Sequence, residues 1–134
     1  MIVGVGTDLC DVRRIQAAFD RQGMRLPKKI LGPQELPVFQ QRLAQVPARG
    51  VAYLASRFAA KEAFAKAIGL GMRAPMGWRQ CEVISSPEGQ PSLHLHGVLA
   101  QWFEARGWRA HISLSDEVGH ALAFVVVSSI SLNP

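Results

Sequence analysis

Two carboxylates stand out because one directly follows an apolar segment and the other lies on the apolar stripe of a predicted helix. Asp8 follows residues 2–6, a glycine-spaced apolar segment that predicts a short strand ending at Asp8. Glu62 falls on the apolar stripe of the strongest predicted helix, residues 51–68, four residues after Phe58. A carboxylate on an apolar surface is costly unless it has a partner. Both residues are therefore candidates for a functional site.

Each of these carboxylates also has a purely structural explanation. Asp8 can cap the helix that follows it, although Asp11 is better placed to do so. Glu62 can pair with Lys66 four residues later, an arrangement worth about 0.2–0.5 kcal/mol on an exposed helix. The functional explanation is a metal site, because Mg²⁺ takes one or two carboxylates, several waters and substrate phosphates. From spacing alone, both explanations stay open.

Other kinds of site are less well supported by the sequence. His94 and His96 share one strand face, but no cysteine stands near them to complete a zinc site. Cys10 and Cys81 have no motif around them and are interpreted as packing residues. The Gly4-x-Gly6 pair lacks the third glycine of a dinucleotide fingerprint, and no GxxxxGK[ST] motif occurs.

The net charge of +5 is concentrated in one short segment. Residues 13–29 contain six basic residues against Asp20 alone, so this segment accounts for the whole excess. Such a patch favours an acidic partner, which can be nucleic acid, an anionic membrane or an acidic protein. A solvated helix face is the alternative, and the pattern alone does not decide between them.

The composition indicates one compact globular domain over residues 1–134, with 49% hydrophobic and 19% charged residues. The low charge fraction leaves apolar surface that other subunits can cover. We expect no targeting segment, since the first residues lack a basic region, and no membrane span, since the apolar run 121–127 is too short. Two cysteines do not form a disulfide framework, which favours the cytoplasm.

The hydrophobic periodicity predicts five strands and three to four helices. The predicted elements are a strand over 2–8, a helix from 12 that ends at or bends after Pro27, a short helix after Pro33, a helix over 51–68, strands over 82–85 and 92–96, a helix over 98–105, and strands over 110–115 and 120–128. Pro47 and Gly50 predict a break before the long helix. This order favours an α+β fold with helices packed on a largely antiparallel sheet.

Three blocks of the sequence together resemble the holo-acyl-carrier-protein synthase family, the short homotrimeric type of 4′-phosphopantetheinyl transferase. They are Ile2 to Leu9 followed by Arg13-Arg14-Ile15, then Arg57 to Gly69 (RFAAKEAFAKAIG), then His111 to Asp116 followed by Ala121 to Val127. The blocks stand in the family's order and at its spacing. The resemblance covers essentially the whole chain, including the turn Glu88-Gly89-Gln90-Pro91.

The resemblance implies an activity and a set of site residues. Members of this family transfer the 4′-phosphopantetheine group of coenzyme A to a serine of apo acyl carrier protein, releasing adenosine 3′,5′-bisphosphate. It implies that Asp8 and Glu62 bind Mg²⁺ and act in catalysis with Lys66, while Glu62 or a metal-bound water takes the serine proton. The coenzyme A contacts implied by the resemblance are Arg57, Lys61, Lys66, Gly69, Gly89 and Pro91.

The resemblance also implies partners. Acyl carrier proteins are acidic, and the residues matching the family's docking arginines are Arg14, Arg21, Arg25 and Lys29. The resemblance further implies a cytoplasmic homotrimer with active sites at subunit interfaces and a role in fatty acid biosynthesis, although the sequence alone leaves a carrier protein of polyketide synthesis equally open. The alternative function is a small basic nucleic-acid-binding module using residues 13–29.

Two positions depart from the family pattern. Cys10 stands where longer relatives have a further carboxylate, so water must complete the metal coordination here, as in other short members. Asp116 stands where many members have histidine, and the role of that histidine therefore does not carry over to this chain.

Overall fold

The computed structural model describes residues 1–130 and has the α+β architecture predicted from the sequence. Its elements are β1 (Ile2–Asp11), α1 (Val12–Gln22), α2 (Arg25–Ile30), α3 (Glu35–Gln45), α4 (Pro47–Ala67), a 3-10 turn (Trp78–Gln80), β2 (Cys81–Ser85), β3 (Pro91–Leu95), α5 (Gly97–Glu104), β4 (Trp108–Glu117) and β5 (His120–Ser129).

The strands form two antiparallel arrangements. Strands β1, β5 and β4 make a sheet in that order, and β2 and β3 make a separate hairpin. Alternate residues of β5 are buried against α4, and the predicted alternation in β4 is confirmed, with Ile112 and Leu114 less exposed than His111 and Ser113. One face of the sheet therefore holds α4, while the other remains accessible.

Helix α4 lies unusually close to β1 because two glycines leave room for it. A Cβ added at Gly4 would lie 1.9 Å from the carbonyl oxygen of Ala67, and one at Gly6 would lie 1.9 Å from that of Ala63. The helix and the strand run in opposite directions, since Gly4 faces Ala67 and Gly6 faces Ala63. Two residues of β1 span about the length of one turn of α4. The next residue on that side of β1, Asp8, therefore comes beside the preceding turn of α4.

Strand β1 is longer than predicted. It continues three residues past Asp8 to Asp11, because β5 pairs with it along this length, from Leu9 opposite Leu122 to Asp11 opposite His120. The prediction that the strand ends at Asp8 is thus wrong. The expected helix cap is confirmed, since the Asp11 side chain accepts a hydrogen bond from the Arg13 amide at 2.9 Å.

The two prolines expected to limit helices instead lie in first turns. Helix α1 ends earlier than predicted, at Gln22, and Pro27 lies in the first turn of α2, where backbone N–H groups have no partner within the helix. Pro47 is the first residue of α4, so the predicted break between the two helices lies directly before it, at Val46, and only its predicted extension to Gly50 is wrong. None of the helices within residues 1–130 is long and apolar enough to cross a membrane.

Helix α4 is buried on nearly all sides. The predicted apolar stripe is buried at Leu54, whereas Phe58 and Glu62 on the same stripe are partly accessible. The residue before Glu62, Lys61, is fully buried. A helix that is apolar all round has no single buried face, so the periodicity did not show which of these charged residues lies inside.

Candidate active site

Asp8 and Lys66 meet where β1 passes α4. The Lys66 Nζ donates to the Thr7 carbonyl oxygen at 2.9 Å and lies 3.4 Å from Asp8 Oδ1. Among the ion pairs of residues 1–130, Lys66 therefore partners Asp8 rather than Glu62, which was the structural explanation considered for the long helix. Lys66 remains half exposed, so its ammonium stays accessible to a bound anion.

Glu62 lies within electrostatic reach of the same group. Partial burial raises its pKa, and the neighbouring Asp8 carboxylate raises the pKa further, while Lys66 and Arg14 lower it. The structure thus brings Asp8, Glu62 and Lys66 together, with Arg14 of α1 nearby. Where one carboxylate disfavours the ionisation of another, as Asp8 does for Glu62, a bound cation relieves the repulsion.

The two carboxylates, Asp8 and Glu62, fit a hard divalent cation whose coordination is completed by other ligands. Within the described part of the chain, no group of three or more His, Cys, Asp or Glu side chains could hold a metal. Mg²⁺ needs no such cluster, because it is bound through one or two carboxylates plus waters and phosphates. Cys10 is buried and its pKa is raised, mainly by that burial, so its thiol is not a ready ligand.

Two neighbouring clefts open along the earlier turns of α4, of about 320 and 290 Å³. Both are lined by Arg42, Tyr53 and Arg57. The larger also reaches Arg49 and Asp116. Sequence reasoning missed Arg42 and Arg49 because neither belongs to a motif, and only the fold brings these separated residues together.

Arg57 is buried in the wall between these clefts, and its bonding is incomplete. Its guanidinium donates to Ser56 Oγ at 3.1 Å, to the Val83 carbonyl oxygen at 3.3 Å and to Ser85 Oγ at 3.2 Å, and it stacks 4.2 Å from the Tyr53 ring. Its Nε is buried with no hydrogen-bond partner. A buried donor without a partner is costly, so this position favours an anionic ligand.

Lys61 does not fit the phosphate contact expected for it. Its side chain is fully buried, and its Nζ donates to the Ile30 carbonyl oxygen, to Glu35 and to the Trp78 carbonyl oxygen at 2.6, 2.6 and 2.8 Å. An ammonium group has three protons, and here all three have protein partners. Lys61 therefore has no free N–H with which to make the coenzyme A contact expected of it.

The remaining residues expected to contact coenzyme A lie at turns. Gly69 follows the last turn of α4 with a φ of 81°, and Gly89 has a φ of 91° in the turn between β2 and β3, just before Pro91. That hairpin turn borders the smaller cleft through Ser85 and Ser86. Gly89 and Pro91 are thus next to a cleft, whereas Gly69 lies beyond Glu62 at the other end of α4.

The basic segment forms an exposed surface on α1 and α2. Arg14, Arg21, Arg25 and Lys29 are all exposed. Arg13 differs from them, because it donates to both carboxylate oxygens of Asp11, and this hydrogen bonding lowers the pKa of Asp11 to about 2.

Comparison with known proteins decides which family this arrangement belongs to. A family model described as the 4′-phosphopantetheinyl transferase superfamily matches residues 4–125. The chain belongs to this superfamily. Among its similar relatives, the holo-[acyl-carrier-protein] synthase of Methylibium petroleiphilum is 58% identical over 129 residues, covering 96% of this chain and 98% of that protein.

Solved structures of the superfamily share the fold. The crystal structure of holo-[acyl-carrier-protein] synthase from Neisseria meningitidis has a TM-score of 0.89 and 39% identity, covering 96% of this chain and all of that one. The Bacillus anthracis holo-(acyl-carrier-protein) synthase in complex with CoA (3′,5′-ADP) has a TM-score of 0.80 and 30% identity, covering 96% and 98% of the two chains. The predicted family and α+β fold are thus confirmed.

Proposed function

We propose that this protein transfers the 4′-phosphopantetheine group from coenzyme A to a serine of an apo acyl carrier protein. The observation that carries the proposal is the cluster of Asp8, Glu62 and Lys66, formed where α4 packs on the glycines of β1 in a chain of this superfamily. Similar proteins named holo-[acyl-carrier-protein] synthase support the same activity.

The proposed reaction is a phosphoryl transfer in which one bond to phosphorus forms and another breaks. The serine oxygen forms a bond to the phosphorus that carries pantetheine, and the bond from that phosphorus to the bridging oxygen of the pyrophosphate breaks. Adenosine 3′,5′-bisphosphate leaves with the electron pair, and either Glu62 or a water held beside it accepts the serine proton. The half-exposed ammonium of Lys66 is placed to contact the phosphate oxygens on which negative charge is spread.

Asp8 and Glu62 would hold Mg²⁺ in this proposal. Two carboxylates from a strand and a rigid helix, close enough to raise the pKa of Glu62, suit an ion that takes its other ligands from water and phosphate. When bound, the ion supplies charge neutralisation at the pyrophosphate. Lys66 holds Asp8 in place through its contacts with that carboxylate and with the Thr7 carbonyl oxygen.

The arginine-lined clefts are the proposed binding place for the anionic part of coenzyme A. Arg42, Arg49 and Arg57 line the same wall and bring three guanidinium charges to it. Arg57 precedes Glu62 by five residues, which is roughly 7.5 Å along the helix axis. Gly89 and Pro91 lie on the hairpin turn that borders the smaller cleft and complete this proposed site.

The exposed basic surface of α1 and α2 is the proposed docking place for the carrier protein. Arg14, Arg21, Arg25 and Lys29 would meet an acidic partner there. Arg14 also lies close enough to lower the pKa of Glu62. This surface therefore borders the proposed active site, as delivery of a serine requires.

We also propose that the protein is a homotrimer with active sites at its subunit interfaces. The sheet face away from α4 carries contiguous exposed apolar side chains, with Leu9 62% and Phe124 41% exposed. Across the strands, the rows on this face are Leu9, Leu122 and Ser115, then Thr7, Phe124 and Ser113, then Val5, Val126 and His111. An apolar centre with a polar edge is typical of a surface that a further copy covers.

The proposed place of action is the cytoplasm. Cys10 and Cys81 are free and buried, which suits a reducing compartment. That residues 1–134 form a single domain stays a prediction, and a single cooperative thermal transition would support it.

Release of adenosine 3′,5′-bisphosphate tests this proposal. The protein is incubated with coenzyme A, Mg²⁺ and an apo acyl carrier protein, and the nucleotide product is separated by chromatography. We expect release only when both substrates are present, and we expect an excess of chelator to stop it. Release without the carrier protein would indicate hydrolysis of coenzyme A and contradict the proposed transfer.

A further inference from the structure

A network of buried charged side chains lies behind the proposed active site. Lys61 and Glu35 are both fully buried, and Lys61 Nζ is 2.6 Å from Glu35 Oε1. The same Nζ donates to the carbonyl oxygen of Ile30, the last residue of α2, and to that of Trp78 in the 3-10 turn. One side chain of α4 thus contacts three separate parts of the chain.

The carboxylates of this network hold the segment between α2 and α3. Glu35 accepts from the Gly32 amide at 2.9 Å and from the Val83 amide at 2.8 Å. A second buried carboxylate, Glu82, accepts from the Gln34 amide at 2.7 Å and from the Glu35 amide at 3.1 Å. The chain that follows α2 is therefore fixed by hydrogen bonds to charged groups, which are stronger than those between neutral groups.

These contacts connect two surfaces that the proposed function uses together. Lys61 is the residue before Glu62 on α4, so its backbone moves with that carboxylate. Its contact with Ile30 fixes the end of α2, whose exposed residues include Arg25 and Lys29. One buried lysine thus links the end of α2 directly to the helix that carries Glu62.

Stability alone does not account for this arrangement. A buried ion pair often contributes no more stability than apolar residues of similar volume. Burial lowers the pKa of Lys61, and the neighbouring Glu35 carboxylate opposes that effect. The ion pair therefore offsets only part of the free-energy cost of burying the lysine charge. Trp78 also stacks on Phe58 at 5.2 Å, which already holds the 3-10 turn on α4 without any charge.

We propose that Lys61 is a positioning residue for the carrier protein, which it serves by fixing α2 relative to Glu62. This inference rests on the proposed function and adds to it a role for a side chain that touches neither substrate. A carrier protein bound to Arg25 and Lys29 presents its serine to the site only if α2 keeps its place. Lys61 lines neither of the clefts proposed for coenzyme A, so the affinity for coenzyme A should depend on Lys61 less than the affinity for carrier protein does.

The test compares Lys61→Met with Val127→Ala, a core substitution in β5 outside the network. We expect Lys61→Met to raise the KM for carrier protein by about ten-fold or more while changing the KM for coenzyme A by less than about two-fold. Val127→Ala should lower the thermal midpoint without this difference between the two substrates. Equal changes in both KM values in Lys61→Met would overturn the proposal.

The double variant Lys61→Met/Glu35→Gln keeps the test decisive if the single variant does not fold. It removes both charges of the buried pair, so neither partner is left unpaired and we expect folding to recover. It does not restore the contact with Ile30, so the KM for carrier protein should stay raised by about the same ten-fold factor. Return of that KM to the wild-type value together with stability would mean that Lys61 is only structural.

Hydrogen exchange separates this inference from the proposed function, because it needs no substrate. Amides of residues 25–35 should exchange at least about ten-fold faster in Lys61→Met than in the wild type, while amides of β5 keep their protection. Unchanged exchange in residues 25–35 would overturn the inference even in an active enzyme. A wild-type protein that transfers nothing would overturn the proposed function, and exchange would still decide whether Lys61 fixes α2.

Discussion

The surroundings of Glu62 disfavour its ionised form, and the same surroundings suit the binding of a cation. Because burial and the nearby Asp8 carboxylate raise its pKa in the folded protein, the protonated form is favoured there. Stability from this source is present below the unfolded pKa and is lost as pH rises through the raised folded value. Above its raised pKa and without metal, the ionised Glu62 therefore lowers the stability of the fold.

Replacement of Glu62 should separate stability from activity. Glu62→Gln removes the charge and keeps the shape, so we expect its thermal midpoint at pH 7, measured with a chelator present, to equal or exceed that of the wild type. Transfer activity should fall by about 100-fold or more, since a ligand of the proposed cation is lost. A variant with near-native turnover would rule out this role for Glu62.

Asp8 should behave differently, although it belongs to the same cluster. Asp8→Asn removes the negative charge beside Lys66, so the contact between these two side chains weakens. Lys66 still donates to the Thr7 carbonyl oxygen. We expect an activity loss of about 100-fold or more with the fold intact. Circular dichroism and steady-state kinetics on the same sample check this, and normal activity would contradict the metal role of Asp8.

At the scale of elements, the close packing of α4 on β1 is what assembles the site. A Cβ at Gly6 would lie 1.9 Å from the Ala63 carbonyl oxygen, so the helix must move away to accept it. We expect Gly6→Ala to lower the free energy of unfolding by about 1–3 kcal/mol or more, measured by denaturant titration, and to lower activity as well.

Gly77→Ala is the matched control for this substitution. An added Cβ there meets only Gln80 Cγ at 3.5 Å, so we expect a change within about 0.5 kcal/mol. Equal stability of the Gly6→Ala variant and this control would show that the close approach of helix and strand is not required.

The basic face of α1 and α2 gives a second prediction at this scale. Arg14→Glu places a carboxylate near Glu62 and reverses charge on the docking surface, so the KM for carrier protein should rise far more than that for coenzyme A. Arg106→Glu, at an exposed basic residue after α5, changes the net charge equally and should leave both values nearly unchanged. Equal effects of Arg14→Glu on both substrates would contradict docking on this face.

The sequence predicted the strands and the longest helix well because their patterns are strong. It missed α2 because Pro27, which usually limits a helix, here occupies a first turn. It also left Asp8 and Glu62 as separate features, since no spacing shows that Gly4 and Gly6 admit α4 so closely. The periodicity did not show that Lys61 is buried while Glu62 stays partly accessible, because α4 is apolar all round.

At the scale of the whole molecule, the exposed sheet face predicts assembly. We expect the 14.6 kDa chain to sediment as a trimer, and Phe124→Arg to yield monomers, because a charge then lies in the centre of the apolar face. Val98→Arg, at an exposed apolar residue on α5, should leave the trimer intact. A wild-type protein that sediments as a monomer at micromolar concentration would contradict the proposed assembly.

The function of the whole molecule is tested most directly by the intact mass of the carrier protein. After incubation of an apo acyl carrier protein with this protein, coenzyme A and Mg²⁺, we predict that the carrier gains the mass of one phosphopantetheine group, and that it gains none with Glu62→Gln at the same concentration. A nucleic-acid-binding module using residues 13–29 would produce no gain. Absence of the gain with ample wild-type protein would contradict the account.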